Sequence, residues 1–151
     1  MKSLSEYRFK KILKIVLLFY SFSLWGADLM NNRVIYIKVN GYFLEVQLEN
    51  NSSADALIDK LQSEDTSIHM KDYANMEKVG SLGYSLVTND KPIDTVSGDV
   101  ILYQGKYFVI YYDNNSWSLT KLGKITNVNK QELKKILGEK EVEIVLSLKK
   151  D

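Results

Sequence analysis

From Arg33 onward the chain alternates apolar and polar residues in short runs separated by turn residues, which is the period of half-buried strands. The clearest run is "RVIYIKVNGYFLEVQLE", Arg33 to Glu49. Ile35, Ile37 and Val39 alternate before Asn40-Gly41, and Leu44, Val46 and Leu48 alternate after it. Asn-Gly accepts the two positive φ angles of a type I′ turn, so the run predicts a hairpin. "TSIHM" (Thr66 to Met70) predicts a short strand. "DVILYQGKYFVIYYD" (Asp99 to Asp113) predicts a second hairpin turning at Gln104-Gly105. "SWSLTKLGKI" (Ser116 to Ile125) predicts a strand entered through a turn at Asn114-Asn115. "VEIVLSL" closes the series, with Val142, Ile144, Leu146 and Leu148 on one face.

Two segments carry the helical period instead. In "NNSSADALIDKLQ", Ala54, Leu57, Ile58 and Leu61 form an apolar stripe, with Ser52 or Ser53 as the expected cap. In "NKQELKKILG", Asn129 caps, Glu132 completes a capping box and Gly138 ends the helix. A series of strands with one apolar face each can close on itself, and closure removes exposed edges. The pattern therefore predicts a mainly β protein: a closed barrel with a short helix over each open end.

One stretch breaks the alternation: "MKDYANMEKVGSLGYSLVTND", Met70 to Asp90. Long irregular segments within compact domains are uncommon and are usually functional or disordered. Tyr73, Met76, Val79, Leu82 and Leu86 give this one apolar anchors, so it is expected to be an ordered loop packed across the barrel wall and forming one lip of a groove.

The first 27 residues read differently. Lys2, Arg8, Lys10, Lys11 and Lys14 precede the apolar run "IVLLFYSFSLWGA", which ends at Ala27. That order predicts a secretory signal helix over 1–27, cut after Gly26 or Ala27, with a short disordered lead-in over 28–32 and the barrel domain over 33–151. The run is shorter than the ~20 residues that span a bilayer, so no stable membrane span is expected after its removal; an uncleaved anchor is the alternative. The expected location is periplasmic or secreted.

Composition narrows the chemistry. The 151 residues, 45% hydrophobic and 26% charged, are those of one ordinary globular domain. The absence of cysteine excludes disulfides, thiol nucleophiles and cysteine zinc sites. The whole chain has 20 basic and 19 acidic residues; residues 1–27 hold five and one of these, leaving 15 and 18, a net charge of about −3. The basic residues form no patch, so nucleic acid is not an expected partner.

Tyr73-Ala74-Asn75-Met76-Glu77-Lys78-Val79-Gly80, together with Thr88-Asn89-Asp90 and Gly98-Asp99, resembles the bacterial cyclophilin-like fold proteins. The resemblance covers Val34 to Leu148 and departs at Val87, where members often carry proline before the threonine. It implies a closed cyclophilin-like β-barrel with two capping helices, mostly without an assigned activity. The company the family keeps implies a redox protein, such as a flavodoxin, as a partner.

Peptidyl-prolyl isomerisation is the enzyme class such a fold suggests. It needs a donor, in true cyclophilins an arginine, to stabilise the twisted amide. "SIHMKDYANM" is similar to the corresponding isomerase segment, but Met70 stands in the arginine's place. Past residue 27 the one arginine is Arg33, and Lys71 has charge without the planar fork. His69 is the one histidine and has no metal-ligand companions. Asp90, Asp94 and Asp99 lack the spacing of a calcium loop, so neither metal nor cofactor is expected. Glu77 and Lys78, adjacent and opposite in charge, are expected to lie solvated in a loop. Tyr73, Tyr84, Tyr103, Tyr107, Tyr111, Tyr112 and Trp117 surround the irregular stretch. Aromatics beside amides make a concave binding site. The expected site is Tyr73, Asn75, Met76, Lys78, Thr88, Asn89 and Trp117, taking a peptide or small molecule. The expected function is an exported, non-catalytic binding module, with a weak prolyl isomerase as the alternative.

Overall fold

The computed structural model describes residues 33–150. The signal segment expected over 1–27, its anchor alternative and the lead-in over 28–32 lie outside the described residues. Among the described residues no helix is long and apolar enough to cross a membrane.

Among the described residues nine strands and two helices follow one another. They are β1 (Val34–Val39), β2 (Tyr42–Leu48), α1 (Ser52–Ser63), β3 (Thr66–Tyr73), β4 (Glu77–Ser81), β5 (Lys91–Thr95), β6 (Asp99–Tyr103), β7 (Tyr107–Tyr111), β8 (Asn115–Ile125), α2 (Lys130–Leu137) and β9 (Val142–Ser147). The antiparallel order β2-β1-β9-β3-β4-β7-β6-β8 returns to β2 through Val46↔Ile125, Gln47↔Lys124 and Leu48↔Gly123. Eight strands thus form a closed barrel. The ninth, β5, pairs outside the ring with the first half of β8.

The seam depends on close approach. A Cβ on Gly123 would lie 2.4 Å from the Gln47 carbonyl oxygen and 2.9 Å from Val46 Cγ1. Beside it the β6–β8 register slips: Val100 faces Gly123 but Ile101 faces Lys121, a bulge that bends β8 from one neighbour to the next.

The three tight hairpins share one backbone solution and differ in sequence. Asn40-Gly41 adopts the expected positive φ pair, and Gln104-Gly105, the other expected turn, adopts one as well. So do Ala74 (φ 51) and Asn75 (φ 55), closed by Met76 N–H donating to the Tyr73 carbonyl at 3.1 Å. The stretch expected to be irregular from Met70 is therefore a continuation of β3, a turn and β4. Only Leu82 to Asp90 is irregular, and Leu82 and Leu86 are buried in the barrel core. β5 is a further strand the alternation did not announce.

Both helices form where expected. The N-cap of α1 is Asn51 rather than a serine: its side chain accepts from Ala54 N–H at 2.9 Å and donates to the Lys121 carbonyl of β8 at 2.9 Å, while Ser52 and Ser53 accept from Asn89 instead. α2 has the Asn129–Glu132 capping box and ends at Gly138. α1 joins the end of β2 to the start of β3, and α2 joins the end of β8 to the start of β9, so the register sets them at opposite ends of the barrel. Leu57 and Leu61 of α1, and Leu133 and Leu137 of α2, enter the same core as Ile35, Leu44, Met70 and Leu146.

Two substitutions test this reading. Gly123→Ala should lower stability by about 1–3 kcal/mol in urea unfolding, because the neighbour it would strike is backbone. Ala74→Gly should raise stability by roughly 0.5–1 kcal/mol in the same measurement, since glycine removes the Cβ penalty of the left-handed conformation.

Candidate functional site

Strand alternation gives the wall formed by β4, β7, β6 and β8 two different faces. Inward lie Lys78, Gly80, Val100, Leu102, Phe108 and Ile110. Outward lies a second apolar cluster of Ile101, Val109, Tyr111 and Leu119, with Met76, Val79 and Ile93 packed against it. Both β6 and β7 are buried on both sides, which is why "DVIL" and "FVIY" do not alternate.

The outer cluster is the floor of a groove of about 530 Å³. Val79, Ile101, Val109 and Leu119 form its base. Tyr73, Tyr103, Tyr107 and Trp117 form its rim, and Tyr73 and Trp117 are 64% and 63% exposed. Tyr103 and Tyr107 stand side by side, ring centroids 6.4 Å apart. Glu77, Tyr111 and Asn115 add the polar element. Asn115 Nδ2 donates to the Tyr111 hydroxyl at 3.1 Å. Burial raises the Glu77 carboxyl above its ordinary range against an opposing hydrogen bond from Tyr111, and the nearby Asp72 charge raises it further. Burial, then the Glu77 contact, push the Tyr111 hydroxyl up to about 12.

Of the residues expected to form the site, Tyr73 and Trp117 share this groove, and Met76 packs on its apolar cluster. Asn75 sits in the β3–β4 turn, its N–H donating to Asp72 Oδ2 at 3.1 Å. Thr88 and Asn89 lie at the other end of the barrel. There Asn89 donates to Ser52 and Ser53 at 2.8 and 2.7 Å, and its N–H donates to Thr120 Oγ1 at 2.8 Å, strapping the irregular segment to α1 and β8. The length of β4 therefore separates Asn75 from Asn89.

Lys78 faces the barrel interior and its side chain is fully buried. Its ammonium donates to Asp72 Oδ1 at 3.1 Å and to the Lys140 carbonyl at 2.6 Å. The Tyr112 hydroxyl donates to the same Asp72 oxygen. Burial opposes ionisation of Asp72, but the Tyr112 and Lys78 contacts outweigh it and hold the carboxyl below its ordinary value. Burial and Asp72 push the Tyr112 hydroxyl upward. Glu77 and Lys78 are thus strand neighbours on opposite faces, not a solvated loop pair, because β4 begins at Glu77 and alternation separates them.

The residues sequence reasoning passed over are Glu77 and the floor of Val79, Ile101, Val109 and Leu119. The signal was present in the unbroken apolar runs of β6 and β7, which a strand with one wet face does not need. His69 lies apart, exposed on β3 between Glu141 and Glu143 of the β9 side. The Glu143 hydrogen bond is the main influence raising its pKa, with desolvation opposing and Glu141 assisting. Among the described residues no group of acidic or histidine side chains is arranged to hold a metal ion.

The sequence model of the cyclophilin-like family matches residues 37–148. Among solved structures, the solution structure of a hypothetical protein from Archaeoglobus fulgidus is similar, with 13% identity, a TM-score of 0.56, and coverage of 77% of this chain and 94% of that one. At that identity the likeness shows the fold alone. No curated protein matches the chain.

The buried pair makes a stability prediction. Asp72→Ala leaves the Lys78 ammonium desolvated without its counter-charge, and should cost about 3 kcal/mol in urea unfolding at pH 7. Because the folded-state pKa of Asp72 is depressed, its contribution is complete above its ordinary value of 3.8 and is lost as pH falls toward the folded value. The difference between wild type and variant should therefore shrink on acidification below that value.

Proposed function

The chain belongs to the cyclophilin-like family, and we propose that it is a non-catalytic binding domain whose outer groove takes a peptide segment or a small molecule. One observation carries this reading: an apolar floor lies open on the outside of a closed barrel, under a rim with Trp117 and Tyr73 largely exposed. A closed barrel already buries its core on the inside, so a second apolar cluster with exposed aromatics above it suits an occupant. A few polar groups at one side of an apolar cleft are what orient a bound molecule.

Isomerisation has weaker support. Met70, which stands in place of the isomerase arginine, is fully buried in the core. Lys71 lies 3.8 Å from Glu141, and no arginine lines the groove. An exported location, periplasmic or secreted, belongs to the same proposal and rests on the leader pattern alone.

Titration of the ¹⁵N-labelled full chain with short proline-containing peptides and neutral aromatic fragments tests the reading. Saturable shifts should concentrate at the amides of Val79, Ile101 and Leu119 and at the Trp117 indole, and Trp117→Ala should remove them without changing the thermal midpoint. Shifts centred on the Asn89 end of the barrel would overturn the assignment. In a protease-coupled assay, loss of the principal donor, worth on the order of 10²-fold, should leave prolyl isomerisation near background. A robust rate abolished by Lys71→Ala would favour the isomerase instead.

A further inference from the structure

Resting on the reading of the outer groove as a binding site, we infer that its occupant carries a positive charge: a small organic cation of the alkylated-ammonium class, seated among the tyrosine and indole rings beside Glu77. Three independent observations converge on this chemistry. The first is charge. Among the residues lining the groove, Glu77 is the one with a formal charge at neutral pH. The adjacent Lys78 faces the barrel interior and is engaged by Asp72, so it gives the groove no counter-charge.

The second is a deficit at Glu77 itself. Its Oε2 is buried and has no hydrogen-bond partner among the described residues. A half-buried carboxylate with one oxygen unpartnered is destabilised by desolvation, which the Tyr111 contact does not fully offset, and a cation nearby relieves that destabilisation. An anionic occupant would worsen it, and a neutral apolar one would leave it in place.

The third is the rim. Rings of Tyr73, Tyr103, Tyr107 and Trp117 border a groove whose base is apolar. The negative face of an aromatic ring attracts ammonium groups, most strongly where water is displaced. The rim already does this once within the molecule: the Lys106 ammonium lies 5.8 Å from the centre of the Tyr107 ring. An alkylated ammonium matches both demands, presenting methyl groups to the apolar base and charge to the rings and carboxylate. A compact metal ion brings the charge but no apolar surface for the base, and a free phosphate brings neither.

The test compares tetramethylammonium with tert-butanol, a neutral molecule of similar size, added to the ¹⁵N-labelled full chain at constant ionic strength. The amide shifts of Val79 and Ile101 are the readout. The cation should bind saturably and about tenfold more tightly than the alcohol. Glu77→Gln should reduce the cation's affinity about tenfold. Trp117→Leu, a change at an exposed position that leaves the barrel intact, should weaken it several-fold. Glu143→Gln, on the other side of β3, should leave it unchanged. Equal affinity for cation and alcohol, or a cation response indifferent to Glu77→Gln, overturns the charge inference while the groove remains a binding site. Failure of the cation, the alcohol and the neutral fragments alike overturns the binding reading and the charge inference together.

Discussion

The whole architecture depends on β8. It has eleven residues, and no other strand among the described residues has more than eight. Its first half pairs with β5, its middle with β6 and its last residues with β2. A strand of ordinary length could serve two neighbours; this one serves three by bending at the bulge opposite Val100 and Ile101. The final pairing is possible because Gly123 brings no side chain to the place where the Gln47 carbonyl passes. With closure, the interior becomes one core shared by both helices. Without it, β2 and β8 would each present an unpaired edge.

Closure also fixes where function can reside. The interior is filled by side chains and by the Lys78–Asp72–Tyr112 network, leaving the outside of the wall as the place where another molecule can approach. β4 joins the two regions. Its inward residues include a lysine whose charge is neutralised within the fold, and its outward residues include a glutamate whose charge is not. Alternation by a single residue places these opposite requirements on opposite faces. A register slip of one would bury Glu77 against Asp72 and expose Lys78 in the groove.

Much of this was legible in the sequence wherever local chemistry determines the backbone. Asn40-Gly41 and Gln104-Gly105 announce their turns because glycine takes the left-handed conformation readily, and the Asn129–Glu132 box announces α2 because both partners lie within one turn. Ala74-Asn75 gives no such signal: alanine is a poor occupant of positive φ, and tertiary pairing of β3 with β4 holds it there. That is why the stretch from Met70 looked irregular. β5 was hidden for a similar reason, since "KPIDT" has few strand formers and exists as a strand through its pairing with Ser116 to Leu119 of β8. Tyr73 and Trp117 could be brought together by reasoning about loops and aromatics. Glu77 and the floor could not, because which side of β4 faces outward is decided by closure of the barrel, not by the residues of β4.

Closing eight strands into a ring transfers the edge problem to β5. Its far side, opposite β8, has no strand neighbour among the described residues. That edge is five residues long and includes Pro92, with Lys91 and Asp94 beside it. Proline withholds one donor from any strand that might attach, and the charges on either side must be desolvated for attachment to proceed. Among the described residues the barrel therefore offers little open strand edge for templating, even though its groove displays apolar surface. Colloidal stability and an open aromatic cleft, which ordinarily conflict, can coexist where the aromatic rings sit above paired strands and the strand with an open edge is short, charged and interrupted by proline.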